Sequence, residues 1–314
     1  SRRQRQMCIR DRVNIVLILC VTLASFSTSA QNWALPHISV ANVRTNPSHS
    51  SELSTQVLMG TPLRVHDKIS DGWYFVEMPD GYWGYVIDNS LTVTDDKYMK
   101  KWRDAPRVIV ISNREVKAYS GEKDNVTVSD LVQGDIMEGS IKSGKKRTEV
   151  TLPDGRTAWV DTKDVMSLDK WSRQNPDASL VVSTAAAVMG APYLWGGLSS
   201  KGMDCSGLTK MCYYRNGLIL MRDASQQALT GTEVNENDLK KGDLLFFGNI
   251  VTRRVNHVGI YIGDGIFIES AGRVRLNRLD AVDNFFFARR ILGGGESKGI
   301  TKVINHPWYF NQEN

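Results

Sequence analysis

The chain has 314 residues, long enough for two or three domains. Its 41% hydrophobic and 23% charged residues are those of a globular protein with a sizeable core. The formal charge of +5 is concentrated at one end: residues 1–30 hold five Arg and one Asp, which leaves residues 31–314 with about +1, and no basic block points to nucleic acid.

The N-terminus reads as an export signal. Arginines precede the apolar run VNIVLILCVTLASF (Val13 to Phe26), and the small residues STSA end at Ala30, the expected cleavage point. The run is too short and too soon polar for a stable membrane span. Cys20 invites a lipoprotein reading, but bulky Leu19 stands where a lipoprotein signal needs a small residue. The first twelve residues, SRRQRQMCIRDR, lack an initial Met and are expected to be a scar. After cleavage only Cys205 and Cys212 remain. Seven residues apart on one helix, they are separated by roughly 10 Å of rise, too far for a disulfide.

From Gln31 to about Leu168, short β-like runs alternate with turns. Strands are predicted at Gln56–Leu58, Leu63–Lys68, Trp73–Glu77 and Tyr82–Ile87, with SDGW and PDGY as turns. A second unit echoes the first. EMPDGYWGYV and TLPDGRTAWV both read Pro-Asp-Gly, three residues, an aromatic, then Val. Two small related barrels are expected, from Gln31 to about Asp95 and from about Arg107 to Leu168. The domain spans are a leader at 1–30, barrels at 31–100 and 101–168, and a third domain at 169–314.

The third domain changes character. DASLVVSTAAAVMG (Asp177 to Gly190) predicts a helix capped by Asp177 or Ser179. The Gly/Pro/Ser loop APYLWGGLSSKG follows, and then a helix from Cys205 to the C-cap pair Asn216-Gly217. GDLLFFG and NHVGIYIGDGIFIESAGRVRL are strand runs, the latter a hairpin about Gly263-Asp264-Gly265. With 263–265 as the turn, Ile262 faces Ile266 and Gly259 faces Glu269. Helices followed by an antiparallel sheet give an α+β fold.

Cys205 begins a helix, where unpaired N–H groups and a partial positive charge favour thiolate and offer an oxyanion site. Asp204 can cap that helix, and Gly207 leaves room for a substrate chain. His257 opens a strand and is the only imidazole between Met189 and Ala288. The hairpin register makes Glu269 its diagonal neighbour on one face, with Gly259 leaving space between them. Glu269 can then accept the imidazole N–H and support its cationic form. Any one of the three alone would more often be structural; together they predict a nucleophile, a base and an orienter. Cys212 is expected in the core. No CxxC or HxxxH spacing suggests zinc, and no metal or cofactor is expected.

YLWGG…DCSGL, GDLLFFG and NHVGIYIGDGIFIES resemble the NlpC-type, papain-like cell-wall cysteine peptidases, over about Ala178 to Arg290. The full layout, with its bacterial SH3-like barrels, resembles the γ-D-glutamyl-L-diamino acid endopeptidases of that family. The resemblance implies a papain-like third domain with Cys205 as nucleophile and His257 as base. The family usually has His as the third polar residue, where Glu269 stands here. It also implies that Asp204, Ser206, Trp195 and Ser225 help bind peptide. Glu52 and Tyr82 of the first barrel would close one cleft end and read a free L-Ala amine. The implied protein is an exported, monomeric enzyme, periplasmic or extracellular, acting on murein peptides. Two alternatives use the same sequence: an amidase or cross-link endopeptidase on intact murein, and a wall-binding protein with a dead peptidase domain.

Overall fold

The computed structural model describes residues 32–69, 71–293 and 298–311. The expected leader, its cleavage point and Cys20 lie outside those residues.

The first sheet has seven strands: β1 (Asn32–Pro36), β2 (Val40–Arg44), β3 (Leu53–Leu58), β4 (Leu63–Ile69), β5 (Trp73–Glu77), β6 (Trp83–Ile87) and β7 (Leu91–Thr94). The second also has seven: β8 (Arg107–Val110), β9 (Val116–Tyr119), β10 (Thr127–Leu131), β11 (Ile136–Gly139), β12 (Arg147–Thr151), β13 (Thr157–Asp161) and β14 (Val165–Ser167). Their strand orders are β3-β2-β6-β5-β4-β1-β7 and β10-β9-β13-β12-β11-β8-β14, the same topology twice. The echoed turns are built alike. Met78 N–H donates to the Tyr82 carbonyl and Gly81 N–H to Met78; Leu152 N–H donates to Arg156 and Gly155 N–H to Leu152. Gly81 and Gly155 stand at φ +76° and +85°, a region that favours glycine.

Helix α1 (Asp96–Asp104), capped by the Asp95 carboxylate on Tyr98 N–H, joins the two sheets. The domain boundary expected at 100/101 falls inside it. Its sequence, DKYMKKWRD, is polar except for one apolar face, from which Met99 and Trp102, three residues apart, are buried. Both enter a cluster with Trp33, Leu35, Ile109, Leu168, Trp171 and Tyr309, drawn from every unit of the chain.

The third unit begins with α2 (Leu168–Ser172) and α3 (Ala178–Ala187), the latter capped by Asp177 on Ser179 N–H. The short strands β15 (Leu198–Ser199) and β16 (Gly202–Met203) lead into α4 (Cys205–Tyr214). After it come β17 (Leu218–Leu220), α5 (Ala224–Gln227), β18 (Thr232–Val234), β19 (Leu244–Asn249), β20 (Arg254–Gly263), β21 (Ile266–Ala271), β22 (Arg273–Arg278) and β23 (Phe285–Arg290). Six of these strands form one antiparallel sheet in the order β18-β23-β19-β20-β21-β22. Val181, Ala185, Leu208 and Cys212 of α3 and α4 pack on Val258, Ile260 and Ile268. Leu245, Phe247, Phe267 and Ala288 form a separate cluster. The expected α+β class holds.

The β20–β21 hairpin differs from expectation in one detail. Gly259 does face Glu269, but Ile266 pairs with Gly263 across a bulge, so Ile262 faces no partner. Asp264 and Gly265 both take positive φ, 53° and 71°, the two-residue turn that matches strand twist. The extra residue is absorbed by the bulge, which restores the register before Glu269.

The chain's end returns to the other units. β24 (Ile300–Lys302) pairs with β17, His306 Nε2 donates to the Pro79 carbonyl, and Arg107 donates to the Tyr309 carbonyl. Among the described residues, no helix is long and apolar enough to cross a membrane.

Candidate active site

Cys205 is the first residue of α4, and Asp204 is its N-cap. The Asp204 carboxylate accepts the Gly207 N–H at 2.7 Å and the Gly196 N–H at 2.9 Å. The N–H groups of Cys205 and Ser206 lie in the first turn, where a helix offers no carbonyl partner. Gly207 gives no room to a substrate: a Cβ there would stand 2.1 Å from the Gly197 carbonyl oxygen. Its role is to admit the 192–197 loop against the helix start.

His257 Nε2 lies 2.6 Å from Glu269 Oε2, and the imidazole lies close enough to the Cys205 thiol to interact with it electrostatically. Burial opposes the imidazolium charge, but the interactions with Cys205 and Glu269 outweigh it and raise the pKa to about 9. Glu269 is 4% exposed. Its Oε1 accepts Arg275 Nε at 2.9 Å and Asn277 Nδ2 at 3.0 Å, both from the adjacent strand β22. Burial would raise this carboxyl, yet hydrogen bonds from His257, Arg275 and Asn277 hold it down at about 2. Gly259 does not serve as a gap between His257 and Glu269. A Cβ there would meet the Phe267 ring at 2.7 Å, and that ring stacks on Phe247, which in turn lies 5.7 Å from the His257 ring.

Asp204 and Ser206, expected to touch peptide, are each 5% exposed and face inward. Both bond to Arg222, from the segment between β17 and α5. Trp195 is 60% exposed, one residue before the Gly196 N–H that Asp204 accepts. Ser225 is exposed on α5, and Glu52 is exposed just before β3. A Cβ on Gly196 would meet the Leu53 carbonyl at 2.7 Å, so the Trp195 loop sits directly on the residue after Glu52. Tyr82 is half-buried; burial and then the Asp223 charge raise its hydroxyl pKa, with Arg222 opposing. Tyr82 therefore belongs to the charged neighbourhood of Asp204, Arg222 and Asp223. Thus Cys205, His257 and Glu269 are in contact, as are Asp204 and Ser206; Trp195, Ser225, Glu52 and Tyr82 stand around them without hydrogen-bonding to the Cys205–His257–Glu269 chain.

Several residues escaped the sequence reading. Arg275 and Asn277 follow from continuing the strand register by one more turn. Arg222 stands two residues past the apolar strand LIL, and a charge so soon after a buried strand was the available signal. Tyr193 packs near Cys205 and Asp204; burial first, then those charges, push its hydroxyl up to about 12, so it stays a donor.

Residues 190–294 match the NlpC/P60 family, and residues 43–91 match the bacterial dipeptidyl-peptidase Sh3 domain. A Bacillus cereus protein named gamma-D-glutamyl-L-lysine dipeptidyl-peptidase is 30% identical, covering 78% of this chain and 77% of the relative. Dipeptidyl-peptidase 6 of Lysinibacillus sphaericus is 27% identical, over 77% of this chain and 89% of the relative. The crystal structure of an NlpC/P60 family protein from Bacillus cereus superposes with a TM-score of 0.74 at 24% identity, covering 83% of this chain and 99% of that one.

Proposed function

The chain belongs to the NlpC/P60 family of cysteine peptidases, and we propose that it is an exported endopeptidase of murein peptides. It cuts the γ-D-glutamyl–diamino acid amide of stems that carry a free N-terminal L-Ala. The observation that carries this reading is the His257–Glu269 pair, bonded at 2.6 Å, beside a Cys205 that opens α4. A dead wall-binding domain would have no use for it.

In this reading the Cys205 thiolate attacks the γ-carbonyl of D-Glu. The first-turn N–H groups of α4 and the Tyr193 hydroxyl are the donors available to the oxyanion. His257, held as imidazolium by Glu269, protonates the leaving amine of the diamino acid, and water then hydrolyses the thioester. Two carboxylates support recognition of a cationic amine: Glu52 is exposed on the first barrel, and Asp223 lies beside Tyr82. The apolar run from Val13 to Phe26 behind a cluster of arginines supports export.

Mass spectrometry of products from L-Ala-γ-D-Glu-diaminopimelate peptides, with free and acetylated N-termini, tests the reading. Free tripeptides and tetrapeptides are expected to be cut and acetylated ones spared. Glu52→Ala is expected to lower kcat/KM by roughly 10- to 100-fold, the range of a hydrogen bond to a charged group, and to narrow that gap. Release of peptide from intact sacculi at the rate of free tripeptide would replace this reading with a cross-link endopeptidase.

A further inference from the structure

Arg222 is 2% exposed and makes four hydrogen bonds, none of them to a substrate-facing surface. Its two terminal nitrogens form a fork on Asp204, at 3.1 and 2.6 Å, and one of them also donates to Ser206 Oγ at 3.0 Å. It thus grips both chain neighbours of Cys205. Its remaining nitrogen, Nε, donates to Thr55 Oγ1 at 2.6 Å, and Thr55 belongs to β3 of the first barrel. The segment that carries Arg222 is itself fixed. Gln227, wholly buried, donates to the Ser206 and Met221 carbonyls at 3.1 and 2.9 Å and accepts from Thr209 at 2.6 Å. A second strut runs parallel: Gln56, next to Thr55, accepts the Leu198 N–H at 3.0 Å.

We propose that Arg222 is a positioning residue for the nucleophile, and that the first barrel completes it through Thr55. Two physical effects support this. The guanidinium gives the buried Asp204 carboxylate, directly beside Cys205, a partner for both its oxygens, so that no unpaired charge is buried at the helix start. The fork also fixes the N-cap geometry that presents the Cys205 thiol and its N–H to a carbonyl, and small displacements of such groups are costly in rate. The barrel is then part of the catalytic unit rather than only a wall of the cleft. The proposal rests on Cys205 being the nucleophile and needs no assumption about the substrate.

The test is pulse alkylation of the full chain with iodoacetamide across pH, read peptide by peptide so that Cys205 is separated from buried Cys212, together with turnover of the free tripeptide. Thr55→Val keeps shape and removes the acceptor. It is expected to lower kcat about tenfold with KM unchanged, and to slow Cys205 alkylation at neutral pH. Thr55→Ser is expected to restore both. Arg222→Lys keeps a charge but loses the fork, and is expected to lower kcat and slow Cys205 alkylation together. A Thr55→Val protein with the wild-type alkylation profile would overturn the proposal, as would a rise in KM at constant kcat, which would make the pair a substrate contact. Alkylation requires no peptide, so a wild-type chain that cuts no murein peptide would sink the proposed function and leave this test intact.

Discussion

Glu269 shows how much work one carboxylate does at this site. It accepts from His257, Arg275 and Asn277 while almost wholly buried. Glu269→Gln removes the charge that supports the imidazolium, so the rate is expected to fall roughly tenfold, whereas Glu269→His should retain activity. The same substitution has a pH signature in stability. A His257 raised from 6.5 to about 9 contributes stability that is complete below pH 6.5 and lost as pH rises through 9. A Glu269 lowered from 4.5 to about 2 contributes above pH 4.5 and loses it as pH falls through 2. Melting of wild type against Glu269→Gln should therefore differ most between pH 4.5 and 6.5 and converge toward both extremes. A gap independent of pH would mean that the pair is only packing. The two thiols separate just as cleanly. Cys205→Ala should melt like wild type and turn over nothing. Cys212→Ala, in the α3–α4 core where burial pushes the thiol up, should keep its activity at a cost of about 1 kcal/mol. The grouping of Cys205, His257 and Glu269 was legible in the sequence because each has a positional rule: a helix start, a strand start, a hairpin register. Arg222 had none, since its partners Thr55 and Asp204 lie 167 and 18 residues away.

At the scale of elements, local rules fixed the helix starts and tertiary contacts decided the glycines. Asp177 and Asp204 cap where the sequence places them. The bulge at Ile262 was not legible, because a two-residue turn followed by a one-residue bulge leaves Glu269 in the same register as a three-residue turn through Gly263-Asp264-Gly265. Gly207 and Gly259 looked like space for substrate and for the triad, yet both are contact points for other parts of the fold. Gly207→Ala sets two effects against each other. Alanine improves helix propensity by about 1 kcal/mol. Its Cβ, however, would stand 2.1 Å from the Gly197 carbonyl, a backbone atom that cannot rotate away. Overpacking of this kind costs about 1–3 kcal/mol. Net destabilisation is expected in urea unfolding, together with slowed turnover as the Trp195 loop is lifted from the helix start. A stabilised Gly207→Ala protein would show that the loop is free to move.

Across the whole molecule, a duplicated barrel has been put to two uses. The repeat was visible in the sequence through its Pro-Asp-Gly turns, and the structure shows the same strand order and the same turn bonds in both copies. What the sequence did not reveal is where each turn points, because that depends on contacts far along the chain. In the first barrel the Asp80 carboxylate, 5% exposed, bonds Lys210 Nζ of α4 at 2.7 Å, and the C-terminal His306 holds the neighbouring Pro79 carbonyl. In the second barrel the matching Asp154 bonds Arg156, two residues away, with both side chains partly in solvent. Matched substitutions should therefore have unequal effects. Asp80→Asn leaves a buried ammonium on α4 without its counter-charge, and breaking such a pair from one side costs about 3 kcal/mol. Asp154→Asn removes a local, partly exposed pair and should cost less than about 1 kcal/mol. Thermal unfolding of the two variants side by side reads the difference, and turnover of the free tripeptide should fall for Asp80→Asn alone, because Lys210 lies on the helix that begins at Cys205. Equal melting temperatures for the two variants would mean that the first barrel is not anchored through this turn.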